Sequence, residues 1–199
     1  MTIQELNVKL DKVVNQLSGG PELGNIMVGA GSAALEMIRT RVIETGVNPK
    51  GQKYAPYSID PMLANCSSMT TSACSKIAGS KTKRRDLKWV TLQRGGKNIR
   101  LFELPQGYKQ YRELHGRQTG HVSFAFTNRM WDNIKLTSEG SEHNRGIARI
   151  GATEEKEQKK LAGNTERRGE ILMLSPKELD EVSGYFNSEI DKILKNSGL

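Results

Sequence analysis

Between Pro21 and Thr45 the apolar residues fall on one side of a helix. Leu23, Ile26, Met27, Ala30, Ala33, Ala34, Met37, Ile38 and Val42 recur at spacings of three and four. Pro21 suits a first helical position and Gly46 a C-terminal stop. Any fold of this chain must cover that stripe. Inside it, Gly29, Gly31 and Ala34 have the G-x-G-x-x-A spacing of a dinucleotide-binding turn. Such a turn needs a strand before the glycines, because the phosphate sits at the start of the following helix. Here "PELGNIMV" begins a helix instead, so no cofactor is expected. Each glycine costs a helix about 1 kcal/mol relative to alanine. The small residues are therefore read as a place of close packing, against a sheet or a neighbouring subunit.

The remaining elements follow from pattern. Ile3, Leu6, Leu10, Val13, Val14 and Leu17 predict an earlier helix, stopped by Gly19-Gly20. Residues 46–61 are turn-rich, and residues 62–80 read as a long loop. "LKWVTLQRGGKNIRLFEL" is a hairpin around Gly95-Gly96. Residues 105–120 read as irregular. "HVSFAF" predicts a strand with Val122, Phe124 and Phe126 on one face. "TNRMWDNIKL" predicts a helical turn running into a strand, and "RGIARIGA" another strand. "EEKEQKKLAGN" reads as a polar helix ending near Gly163, and "GEILML", residues 169–174, as a last strand. In "SPKELDEVSGYFNSEIDKIL", Ser175, Pro176 and Glu178 form a capping box with proline in the first turn. The fold class is α+β: N-terminal helices, a central antiparallel sheet with an inserted hairpin, and a C-terminal helix. One domain is expected over 1–199, with 60–105 as an insertion of flexible loop plus hairpin.

The chain has 199 residues, and only 36% are hydrophobic. A core so lean suits a subunit that completes its burial against partners. The net charge of +8 is concentrated in "SKIAGSKTKRRDLK", where Lys76, Lys81, Lys83, Arg84, Arg85 and Lys88 face one acid, Asp86. Lys81, Lys83, Arg84, Arg85 and Lys88 are candidate contacts to DNA or to an acidic partner. Cys66 and Cys74 have no histidine pair near them and read as free thiols in a reducing compartment, not as a zinc site. His115, His121 and His143 have no acid spaced to pair with them, and Asp132 and Glu113 read as surface or turn residues. No nucleophile, metal or phosphate-loop motif is present, so no enzymatic activity is expected. No run of 18 apolar residues is present, and a soluble protein is expected.

Several segments, taken in order, carry a resemblance. They are Gly51, Tyr54, Pro56, Tyr57 and Ser58 in a G-x-x-Y-x-P-Y-S pattern; "YRELHGRQT"; "VSFAFTNRMWDNI"; and "NTERRGEILMLSPKEL". Together, over roughly residues 20 to 195, the chain resembles the small neck proteins of tailed bacteriophages, the head–tail joining, tail-completion or virion morphogenesis proteins. Asn128 stands where the family often has glycine, although asparagine tolerates the same left-handed backbone. Residues 60–105 are longer than in a minimal member.

The resemblance implies a viral structural protein of the virion neck, assembled in the host cytoplasm, with no membrane partner. It implies a homo-oligomeric ring, commonly hexameric, between the head connector (portal) and the tail tube or terminator, with genomic DNA passing through the lumen. Strands at 121–126 and 147–152 would supply ring-forming edges. Tyr54, Tyr57, Tyr111, Met130 and Trp131 are the expected subunit or partner contacts. Phe124 and Phe126 are expected in the core, and Tyr54 and Tyr57 on an exposed aromatic loop. A DNA conduit should not grip its cargo, so the basic loop is read as protein-facing. The alternative is a sequence-independent nucleic-acid-binding protein that uses loop 76–88.

Overall fold

A computed structural model describes residues 3–17, 21–125, 127–142 and 145–197. Gly19-Gly20, Phe126 and His143 lie outside the described residues. The chain is α+β, with helices at both ends and antiparallel sheets. It forms two compact units, Met1–Tyr54 with Ser123–Leu199, and Ala55–Val122. The expected insertion, 60–105, falls within the second unit, which has its own apolar cluster.

In the first unit, α1 (Ile3–Leu17) precedes α2 (Pro21–Thr40), which continues as a π-helical turn over Arg41–Thr45. Gly46, at φ 64°, ends it, its N–H bonding the carbonyls of Arg41 and Val42. After the inserted unit come α6 (Arg129–Asn133), β4 (Ile134–Glu142), β5 (Arg145–Ala152), α7 (Glu155–Arg168) and α8 (Pro176–Asn196). β4 and β5 form an antiparallel pair, and α2 packs across both strands and against α8. Ile38 and Val42 on the predicted stripe are completely buried.

The small residues of α2 mark two close approaches. A β-carbon on Gly31 would lie 2.6 Å from Leu136 Cδ2 and 2.9 Å from the Ala148 β-carbon, both on the sheet. One on Gly29 would lie against the Tyr185 hydroxyl of α8.

Side chains close the other helix ends. Asn128, at φ 61°, adopts the left-handed backbone before α6. Arg39 Nη2 donates to the carbonyls of Trp131 at 2.7 Å and Ile134 at 2.8 Å, where α6 passes into β4. Asn133 Oδ1 accepts from the N–H groups of Thr153 and Glu154, both at 2.8 Å.

One buried ion pair ties this unit together. Arg41 Nε donates to Glu178 Oε1 at 2.8 Å, and both side chains are about nine-tenths buried. The same guanidinium donates to the carbonyls of Val47 at 3.0 Å and Met173 at 2.7 Å. Glu178 completes the capping box, its Oε2 accepting from Ser175 N–H at 2.7 Å. Tyr54 donates its hydroxyl to the Glu170 carbonyl at 3.1 Å.

Three local expectations for this unit are corrected. Residues 121–125 form no strand, and Phe124 takes a left-handed φ of 52° that breaks the alternation. Residues 169–174 form no strand either; the segment turns at Gly169 and buries Ile171. The polar helix α7 does not stop at Gly163 but runs to Arg168.

In the second unit the expected flexible loop is ordered into elements. β1 (Met62–Ala64), a 3-10 turn at Cys66–Ser68, α3 (Thr71–Ala78) and α4 (Lys81–Arg85) lead to β2 (Trp89–Arg94) and β3 (Lys97–Leu104). The strands make an antiparallel sheet in the order β1-β3-β2. Gly95 and Gly96, at φ 58° and 73°, supply the two positive φ values of a tight hairpin turn. Ala64, Phe102 and Leu104 centre the core, with Trp89, Ile77 and Leu114 against it.

The segment expected to be irregular contains α5 (Gly107–Leu114). Cys66 and Cys74 are not free thiols. They form a disulfide, because the Thr70-capped start of α3 brings their α-carbons to 5.2 Å.

Three outcomes are expected in urea or thermal denaturation. Gly31→Ala should lose about 1–3 kcal/mol through overpacking against the sheet. Gly29→Ala should be milder, since the tip of Tyr185 can swing aside. Arg41→Met, which strands the Glu178 carboxylate, should cost about 3–5 kcal/mol; a loss below 1 kcal/mol would show that the pair does not hold the unit.

Candidate polyanion-binding cleft

A cleft of the second unit, about 860 Å³, collects positive charge. Arg84, Arg85, Lys97 and Arg100 line it around Trp89, with Asn65, Ser67 and Asn98 contributing polar groups and no carboxylate in the lining. Two short elements build it. Ser80 caps α4, its hydroxyl accepting from Lys83 N–H at 3.2 Å. The two-residue turn sets the hairpin register, which pairs Trp89 with Phe102 and Thr91 with Arg100. Arg100 and Trp89 are therefore diagonal neighbours, within reach for long side chains.

Trp89 organises two arginines. Its indole N–H donates to the Arg84 carbonyl at 2.8 Å, and the Arg100 guanidinium lies over its ring, 4.3 Å from the centroid. Phe102 meets the same ring edge to face, with centroids 5.5 Å apart. Arg84 is fixed at a second point, where its Nε donates to the Ala78 carbonyl at 2.8 Å. That bond engages Nε and leaves the two terminal nitrogens of the fork for the cleft.

The structure sorts the five sequence-predicted cations. Arg84 and Arg85 line the cleft. Lys88 is turned to Glu103, at 2.6 Å. Lys83 Nζ donates to the Lys76 carbonyl at 3.0 Å, and Lys81 is exposed on α4 without lining the cleft. Sequence reasoning missed Lys97, Arg100 and Trp89, and the signal available was the hairpin register. Burial, then the nearby Arg117 and Lys76, hold the His115 imidazole below the ordinary value of 6.5.

The predicted contact aromatics lie inside the chain. Tyr54 and Tyr57 are 5% and 6% exposed, so the exposed aromatic loop is corrected. Tyr54 stacks edge to face on Phe124, with centroids 4.9 Å apart. Tyr57 packs on Tyr108 and carries the guanidinium of Arg112, 4.3 Å from its ring centroid. Arg112 is itself buried, and its Nε donates to the Gln118 carbonyl at 3.1 Å. Met130 and Trp131 are buried, the indole donating to the Ser123 carbonyl at 3.0 Å. Tyr111 is half-buried, donating to the Ser68 carbonyl. The polar ends of Tyr54, Tyr111 and Trp131 each find a backbone carbonyl of the chain itself.

No family model, curated protein or solved structure matches the chain. Among the described residues no group of histidine, cysteine, aspartate or glutamate is placed to hold a metal ion, and no helix is long and apolar enough to cross a membrane.

Tyr57→Ala is expected to destabilise the chain by about 3–5 kcal/mol, since it opens a cavity and uncovers a buried cation. Chemical denaturation monitored by circular dichroism measures it. A wild-type midpoint would return Tyr57 to the surface.

Proposed function

We propose that this chain is a structural virion protein of the phage neck, a ring subunit between the head connector and the tail through which DNA passes. The observation that carries the reading is the β4–β5 pair. Among the described residues these strands pair only with each other, so each has a second ladder edge without a strand partner. Such an edge templates pairing with another copy. A head-to-tail contact of that kind closes into a ring when its rotation permits.

Two further features support it. Val8, Leu10 and Val14 on α1 expose apolar surface of the kind a neighbouring subunit covers. Two of the segments that carry the family resemblance also meet around the end of α2: Tyr54 reaches Glu170, and Arg41 reaches Glu178 and Met173. The function is assembly rather than turnover, with six-fold symmetry implied by the resemblance.

Negative-stain imaging and light scattering of the purified chain, alone and mixed with a purified connector ring, test this. Ring particles of one rotational symmetry are expected in at least one arm. Monomer throughout both arms would overturn the reading.

A further inference from the structure

We infer that the cleft of the Ala55–Val122 unit binds the phosphate backbone of nucleic acid, with Arg84 and Arg100 as a paired phosphate clamp. The inference rests on this unit alone and stands whether or not the chain forms a ring.

The first ground is charge without compensation. Arg84, Arg85, Lys97 and Arg100 share one cleft, and no carboxylate in its lining offsets them. Glu103, on β3, is engaged by Lys88. Cations held this close repel one another, and a ligand that carries charge at short, regular intervals relieves that repulsion. A nucleic-acid strand carries one phosphate per about 3.4 Å of helix axis.

The second ground is preorganisation. An arginine fork is a planar donor set suited to two oxygens of one phosphate. Here both forks are held before any ligand arrives. Arg84 is fixed through Nε on the Ala78 carbonyl, and Arg100 lies on the Trp89 ring. The indole N–H, bonded to the Arg84 carbonyl, couples the two mounts. Neither mount uses the terminal nitrogens of its arginine, so ordering those side chains costs little on binding.

The third ground concerns mode. Arg100 covers a face of Trp89, so the cleft offers guanidinium N–H groups there rather than an open ring for a base to stack on. Contact is then to backbone, and binding is independent of sequence. Such contacts weaken steeply with salt, which reconciles a DNA-facing surface with a conduit that must let its cargo pass.

Fluorescence anisotropy with a labelled DNA duplex of arbitrary sequence tests the inference, using the full chain. Binding is expected at about 50 mM salt, with a log–log salt slope of about −3 to −4 for four phosphate contacts. Arg84→Ala and Arg100→Ala should each weaken binding several-fold and reduce the slope by about one. Arg100→Gln keeps the bulk over Trp89 and should behave like Arg100→Ala. Arg85→Ala removes no bond of the frame and reads the cleft charge if either other site proves structural. Lys177→Ala, on the C-terminal helix, should bind as wild type.

Absence of binding at low salt would overturn the inference, as would wild-type affinity in the arginine variants. Polyglutamate that displaces the duplex and binds more tightly than it would also overturn it, and would assign the cleft to an acidic protein.

Discussion

The Arg41 guanidinium is the point on which the first unit depends. It leaves the π-helical turn at the end of α2 and reaches Glu178 in the first turn of α8, the carbonyl of Met173 before that helix, and the carbonyl of Val47 beyond its own. Three chain segments that share no local signal are joined by one side chain. A charge this buried persists only with its hydrogen bonds satisfied and an opposite charge beside it. The widened turn matters too. Gly46 N–H bonds both the Arg41 and the Val42 carbonyls, which closes the helix without drawing on the Arg41 side chain. Burial raises the neighbouring Tyr54 hydroxyl above its ordinary pKa while the Arg41 cation opposes the shift, so the phenol stays a donor to Glu170.

The two units handle their arginines differently, and the contrast separates structure from site. Arg41, Arg39 and Arg112 direct donors to backbone carbonyls of their own unit. Arg84 and Arg100 are each held at one point and keep their terminal nitrogens out of the frame. A cation whose donors are spent on backbone carbonyls is an internal strut. One that is mounted and left open is free for a ligand. By this criterion the candidate binding surface of the second unit is the hairpin side of α4, and Lys83 and Lys88 belong to its scaffold.

Where the deciding physics is local, sequence was a good guide. The Ser175–Glu178 capping box, the Gly46 stop, the Gly95-Gly96 turn and the left-handed Asn128 each depend on a few adjacent residues, and each is present. The small residues of α2 were legible as close packing, though not as packing on Leu136 and Tyr185 in particular. Misreadings arose where long-range pairing decides. "GEILML" has a strand's composition but no partner strand, so only Ile171 is drawn inward. "HVSFAF" alternates, yet the left-handed Phe124 breaks the run and its ring packs on Tyr54. α5 was hidden by its polarity, although Tyr108, Tyr111 and Leu114 keep helical spacing. Tyr57 looked exposed because nothing nearby in sequence announces that Arg112 lies over its ring. The cleft was half legible. Its α4 arginines sit in an obvious basic run, whereas Arg100 joins them only through strand register.

The edge-to-face contact between Tyr54 and Phe124 has an evolutionary consequence. These residues flank the inserted unit, and their ring centroids are 4.9 Å apart. The backbone therefore departs from the α2 frame and returns to it at one place, as in a parenthesis. Chain connectivity makes almost no demand on what lies between, because an excursion of nearly any length closes across the same short gap. With its own core and disulfide, the inserted unit can drift, lengthen or be exchanged, while the Arg41 knot that holds the frame stays under separate selection. A lineage built on this plan can change the cleft without re-inventing the frame that carries it.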